Sequence, residues 1–147
     1  MIRDEDEHYL LDSNIVSELF RYNADFNLLK KMVSHSSDMA ISVITLDELL
    51  YGVKILADGH KKNALMDFIQ NDVRENFKVK ILSEKAAEIH SDIQSQLAKI
   101  GKPSPYDDSL IAAIAIAEEM TLVTRNTKHF ETIAEHFPLK LENWFEE

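Results

Sequence analysis

Acidic side chains stand at three places in this sequence where solvent alone is a poor explanation for them. Asp12 follows the apolar run Tyr9-Leu10-Leu11, and Glu48 comes one turn after a β-branched stretch, residues 39–44. Asp107 and Asp108 open the most apolar helix of the chain. Taken singly, most of these have a structural reading. Asp12 suits a helix N-cap, its carboxylate accepting from a first-turn N–H. Thr45-Leu46-Asp47-Glu48 and Ser104-Pro105-Tyr106-Asp107 both match a capping box, the second with Pro at the favoured first helical position. Asp108 is left over. It lies three, four and seven positions before Ile111, Ala112 and Ala115, on the same side of a buried helix. A carboxylate leading an apolar face is costly unless it is paired or bound to a cation. Asn126, which alone reads as a turn residue, follows the apolar stretch 121–124. Four oxygen-bearing side chains thus fall at the same end of the inferred sheet. If they converge, a hard divalent cation offsets their repulsion, and all-oxygen ligation suits Mg²⁺ or Mn²⁺ over zinc. Such an ion supports displacement at a phosphodiester.

The elements that must position them read as alternating strands and helices. Strands are expected over 9–11, 39–44, 79–82 and 121–124, with a last edge strand at 139–141. Helical spacing carries Ile15, Val16, Leu19 and Phe20, then Phe26, Leu29 and Met32, then Leu46, Leu49, Leu50 and Val53. Further helices are expected over 64–77, from Ser83 to about residue 100 with Gly101 as the stop, over 106–120, and over 129–134. This alternation implies a three-layer α/β/α sandwich with a mostly parallel sheet, in one domain over 1–147. Ligands on such sheets bind beyond the carboxyl ends of the strands, where the acidic residues fall.

Composition narrows the classes. The chain has 147 residues, 45% hydrophobic, with three Gly, three Pro and no Cys, which excludes disulfides and thiolate metal sites. The six His show no zinc-ligand spacing, and there is neither a GxSxG nucleophile nor a phosphate-cradling glycine loop. No apolar run approaches the ~20 residues of a membrane span, and the acidic start lacks the basic segment of a signal peptide, so a cytoplasmic location is expected. The net charge of −10 has the opposite sign to a typical nucleic-acid-binding face. Part of that excess is terminal: Asp4, Glu5, Asp6, Glu7, Glu146 and Glu147.

At the same residues the chain resembles the PIN-domain family, and within it the VapC-type toxins of bacterial toxin–antitoxin pairs. Leu10-Leu11-Asp12-Ser13-Asn14 is similar to the family's opening motif, which more often has Thr in the fourth place. The segment 41–52 is similar to the second motif, whose Glu corresponds to Glu48. The segment 105–113 is similar to the third, whose acidic residue three places before Ile-Ala-Ala selects Asp108. Leu122-Val123-Thr124-Arg125-Asn126-Thr127-Lys128-His129-Phe130 is similar to the fourth, where the family often has Asp in place of Asn126. Leu141-Glu142-Asn143-Trp144 fits the usual ending.

The resemblance implies a Mg²⁺- or Mn²⁺-dependent endoribonuclease. Asp12, Glu48 and Asp108 would be metal ligands and Asn126 a fourth site residue. The implied substrate is RNA such as tRNA or rRNA, and the implied state is a homodimer silenced by an antitoxin. A second reading is a regulatory PIN protein acting through a DNA-binding antitoxin, with little nuclease activity. A phospho-acceptor receiver domain is disfavoured, because Lys102-Pro103 precedes the buried helix instead of following a late strand. Lys54, Lys61, Lys62, Arg125 and Lys128 read as surface charges within reach of phosphate contacts. Ile15, Val16, Leu19, Leu49, Leu50 and Val53 exceed what one core-facing helix stripe needs, which leaves some of them for an interface.

Overall fold

A computed structural model describes residues 8–21, 23–35 and 38–145. The acidic stretch Asp4 to Glu7 and the terminal Glu146 and Glu147 lie outside the described residues. Five strands form one sheet: β1 (Tyr9–Leu11), β2 (Met39–Ser42), β3 (Lys78–Lys80), β4 (Thr121–Val123) and β5 (Lys140–Glu142). Their order is β3-β2-β1-β4-β5, and all four pairings are parallel. The alternation expected from the sequence is therefore the observed architecture, with no antiparallel strand in this sheet.

The chain crosses over on helices: α1 (Ser13–Leu19), α2 (Phe26–Ser34), α3 (Val43–Lys54), α4 (His60–Asp67), α5 (Arg74–Asn76), α6 (Glu84–Lys99), α7 (Tyr106–Ala117) and α8 (Glu131–His136). Strand residues alternate between two cores, as a pleated strand requires. Leu10, Ala40 and Leu122 face the core built with Ile93, Leu97, Ile111 and Ile114 of α6 and α7. Tyr9, Leu11, Ile41 and Val123 face the core built with Ile15, Val16, Leu28 and Leu46 of α1 to α3. Both faces of the sheet are thus covered, which lets its central strands be apolar throughout.

The structure corrects several boundaries. The second strand ends at Ser42, and α3 begins at Val43, not at Thr45. Ser42 is the N-cap: its Oγ accepts from the Thr45 N–H at 3.0 Å. Thr45 is fully buried inside the helix, so the Thr45–Glu48 capping box does not form. The second expected capping box also fails. Pro105 is the N-cap of α7 and supplies no side-chain cap bond. The helix expected over 64–77 starts at His60 and passes through a π-helical segment, Phe68–Val73, before α5. Gly101 does end α6, at φ +75°, and the Lys102 N–H closes back on the Leu97 carbonyl at 2.8 Å. Glycine adopts that left-handed backbone without the Cβ penalty.

Ile15, Val16 and Val53 are buried, and Leu19, Leu49 and Leu50 pack against the same core. The surplus of apolar residues assigned to them from the sequence is therefore core. The apolar exposure lies elsewhere, on Tyr51, Ile55 and Ile81 among others.

Candidate active site

Asp12 is delivered by the end of a strand, Asp108 by the start of a helix and Glu48 by the second turn of one. Asp12 ends β1 and caps α1, its Oδ1 accepting from the Ser13 N–H at 2.8 Å. It is 7% exposed. Glu48 lies in α3, freed from capping by Ser42, and α3 packs beside α1 and α7. Asp108 lies in the first turn of α7. The Gln94 amide on α6 holds that turn, donating to the Ser104 carbonyl at 3.0 Å and the Ser109 hydroxyl at 2.6 Å. Thr124, just past β4, donates its hydroxyl to Asp12 Oδ2 at 2.8 Å.

The electrostatics show that the three carboxylates sense one another. Burial raises the Asp12 carboxyl above its ordinary value, against hydrogen bonds from Thr124 and Ser13 and the charge of His129. Burial and then the Asp12 charge push Glu48 up to about 7, with Asp107 and Asp108 adding to the rise and Ser13 opposing it. Asp108 is raised by burial first and by Asp12 next; His129 opposes this and Asp107 adds to it. Mutual repulsion of this kind is relieved by protonation or by a cation.

The donor chemistry fits a hard divalent ion, being all oxygen and rich in negative charge. Among the described residues, no group of three or more His, Cys, Asp or Glu side chains stands close enough together to hold a metal ion by itself. Asp12, Glu48 and Asp108 are the residues that would hold it.

The profile of the PIN domain family matches residues 9–135. The chain belongs to the PIN-domain family. Toxin FitB of Neisseria gonorrhoeae is 34% identical over 124 residues, covering 82% of this chain and 89% of that protein. Ribonuclease VapC2 of Rickettsia felis is 32% identical over 138 residues, covering 92% of this chain and 97% of that protein. The crystal structure of VapBC2 from Rickettsia felis, bound to a DNA fragment from its promoter, superimposes with a TM-score of 0.76 at 30% identity. It covers 92% of this chain and 98% of that one.

Within this PIN domain, sequence reasoning brought Asp12, Glu48 and Asp108 to one region but missed what organises them. In the sequence Thr124 is marked only as the end of a strand. Its signal was a polar residue closing an apolar strand, and it is 0% exposed. Asn14 had no role, and His129 was only part of a motif. Glu18 was also missed: it is buried, accepts from the Asp25 N–H at 2.9 Å, and lies 3.5 Å from Arg21 and 4.0 Å from Arg125. Arg125 also lies over the Phe145 ring at 4.1 Å, so this surface charge has a partner in the fold.

Asn126 sits at the rim. It is exposed, and among the described residues its link to the cluster runs through its backbone N–H, which donates to Thr124 Oγ1 at 3.1 Å. Affinity for hard cations depends on the number of ligand charges. Asn126→Asp is therefore expected to tighten Mn²⁺ binding with cleavage largely kept. Asn126→Ala is expected to lower cleavage by no more than about 10-fold. Calorimetric titration of Mn²⁺ decides it: unchanged affinity in Asn126→Asp puts the side chain beyond the metal's reach.

Proposed function

We propose that this protein is the toxin of a type II toxin–antitoxin pair, a Mg²⁺- or Mn²⁺-dependent endoribonuclease of the cytoplasm that cleaves tRNA or rRNA. In this reading residues 1–147 are a single PIN domain. The observation that carries it is the group of mutually repelling carboxylates, Asp12, Glu48 and Asp108, beyond the carboxyl ends of a parallel sheet. The printed names of its relatives, a toxin and a ribonuclease, support the same reading.

A divalent ion bound there would lower the pKa of a water and offset charge on the phosphodiester. The protein's own part is orientation and proton storage. Ser13 and Thr124 hold both oxygens of Asp12 in place. Glu48, raised to about 7, keeps a proton near neutrality when alone and gives it up as positive charge enters. Hydrolysis forms one bond from water oxygen to phosphorus and breaks one to a ribose oxygen. Incubating RNA with the purified chain, with Mn²⁺ and with chelator, tests the reading. No cleavage in Mn²⁺ overturns it in favour of a mainly regulatory role through a DNA-binding antitoxin; VapBC2 of Rickettsia felis is a complex seen on promoter DNA.

The reading includes a homodimer and an antitoxin partner. Tyr51 on α3 and Ile55, the residue that caps its C-terminal end, are 65% and 63% exposed, one turn apart. Exposed apolar residues so grouped mark an interface. Light scattering at micromolar concentration is expected to give twice the 16.9 kDa chain mass; the monomer mass would count against the dimer. Among the described residues, no helix is long and apolar enough to cross a membrane.

A further inference from the structure

Three charged side chains near the carboxylates are tied to one another: Glu18, Arg21 and Arg125. Glu18 is buried on α1, and its Oε2 accepts from the Asp25 N–H at 2.9 Å. Its Oε1 faces two guanidinium groups, Arg21 at 3.5 Å and Arg125 at 4.0 Å. Arg21 stands just after α1, and Arg125 stands in the loop after β4. A buried carboxylate needs paired charge, and one cation would balance it. Here there are two. The trio therefore carries one net positive charge, in a chain whose net charge is −10.

Glu18 does not exhaust the arginines. A hydrogen bond from nitrogen to oxygen spans about 2.7–3.2 Å, and both contacts are longer. They are charge pairs that leave the planar N–H forks open to a second acceptor, and each fork has donors to spare. Arg125 also lies over the Phe145 ring at 4.1 Å, a contact that orders its side chain without an oxygen acceptor. Both side chains stay open to solvent, 66% exposed for Arg21 and 53% for Arg125.

Their place ties them to the acidic site. Arg21 lines a cavity of about 350 Å³ together with Ser13 and Glu48. The Arg125 N–H donates to Asn14 Oδ1 at 3.1 Å, and Asn14 Nδ2 approaches Asp12 Oδ2 at 3.4 Å. A polyanion drawing near three carboxylates is repelled unless local cations outweigh them. A guanidinium fork matches two oxygens of a phosphate. Both forks lie within 4.0 Å of the same Glu18 oxygen, so one phosphate can meet both.

We propose that Arg21 and Arg125, anchored on Glu18, bind a backbone phosphate of the RNA strand next to the phosphodiester that is cut. The proposal rests on the ribonuclease reading above. Glu18 gathers the two forks before RNA arrives, which lowers the ordering cost of binding.

The test uses the full chain with Asp108→Asn, which slows cleavage, in Mn²⁺. The probe is a fluorescent single-stranded RNA oligonucleotide of mixed sequence, checked on a gel for intactness. Kd is read by anisotropy across a range of salt concentrations. Arg21→Gln and Arg125→Gln are each expected to raise Kd by about 10-fold, the usual worth of one charged hydrogen bond. The triple variant Glu18→Gln/Arg21→Gln/Arg125→Gln removes the contact without leaving a buried charge unpaired. It is expected to flatten the slope of log K against log salt by about 0.7, one phosphate contact on a single strand. Arg74→Gln, at an exposed position on α5, changes the net charge as much as the triple variant does and is expected to leave Kd and slope unchanged. With Asp108 intact, Arg21→Gln and Arg125→Gln are expected to raise KM and leave kcat nearly unchanged, because they touch the strand away from the reacting bond. If the gel shows cutting, the KM values decide. Unchanged Kd in both single variants overturns the proposal, and so does an equal loss in Arg74→Gln. A fall in melting temperature with Kd unchanged makes the trio a structural tie and overturns it too. If the triple variant does not fold, the single variants decide. A chain with Asp108 intact that binds RNA through these arginines but cuts none ends the ribonuclease reading alone. A chain that neither binds nor cuts RNA ends both.

Discussion

Asp108→Asn is expected to lower RNA cleavage by on the order of 10²- to 10³-fold, the usual cost of removing one group that stabilises charge at the reacting centre. The fold is expected to survive, and the metal-free protein is expected to melt at a higher temperature than the wild type. The sign follows from the site. Burial and the Asp12 charge both disfavour an ionised Asp108, so a neutral isostere removes a destabilising charge at the start of α7. Loss of activity with a gain of stability is the signature of a functional group kept at structural cost. Asp107→Asn is the control. Asp107 is exposed in the first turn of α7, where its loss removes a helix-dipole contact of about 0.5 kcal/mol or less. Steady-state cleavage and thermal melting of both variants measure this. Full activity in Asp108→Asn would remove it from the site; loss of both activity and stability would make its role structural.

Chelated protein is expected to lose stability as the pH rises from 5 to 8, and Mn²⁺ to restore it. Glu48 is raised from 4.5 to about 7 in the folded chain, and Asp12 and Asp108 are raised too. Between its ordinary value of 4.5 and about 7, Glu48 of the folded chain keeps a proton that the unfolded chain has released. Linkage then makes stability fall with rising pH until the folded groups ionise. Mn²⁺ needs those groups ionised, so its stabilisation is larger at pH 8 than at pH 5. At Mn²⁺ about 100-fold above its Kd, the gain of about 2.7 kcal/mol corresponds to roughly 5–10 °C in melting temperature for a chain of this size. Cleavage rises over the same range. Melting curves in chelator and in Mn²⁺ across this pH range check it. A flat chelator profile would show that the three carboxylates do not repel one another as the structure implies.

The two predictions differ in what they draw from the sequence. Asp108 was legible there because a charge three positions ahead of an apolar helical face is a local anomaly, visible within two turns of chain. Glu48 was less so. The four residues from Thr45 to Glu48 satisfied a capping pattern that Ser42 fulfils in fact. The pattern cannot tell which of two nearby hydroxyls caps, because the choice depends on where β2 leaves the sheet.

By itself the sequence determined the alternation of strands and helices, the two-sided burial of the apolar strands, the Gly101 stop and the acidic residues at strand ends. Each of these is set by side-chain period or by a contact within a turn, and so is written locally. Only the tertiary structure decided the strand order β3-β2-β1-β4-β5, the burial of Ile15, Val16 and Val53, and the hydroxyl that Thr124 brings to Asp12 across 112 positions. Pairings at that separation depend on which strands lie side by side, and no spacing along the chain records that choice. The same holds for Trp144, which is 1% exposed against the rings of Tyr9 and His35. Its indole closes the far end of a core that begins 135 residues earlier at Tyr9 (144 − 9), and only the parallel sheet brings the two ends together.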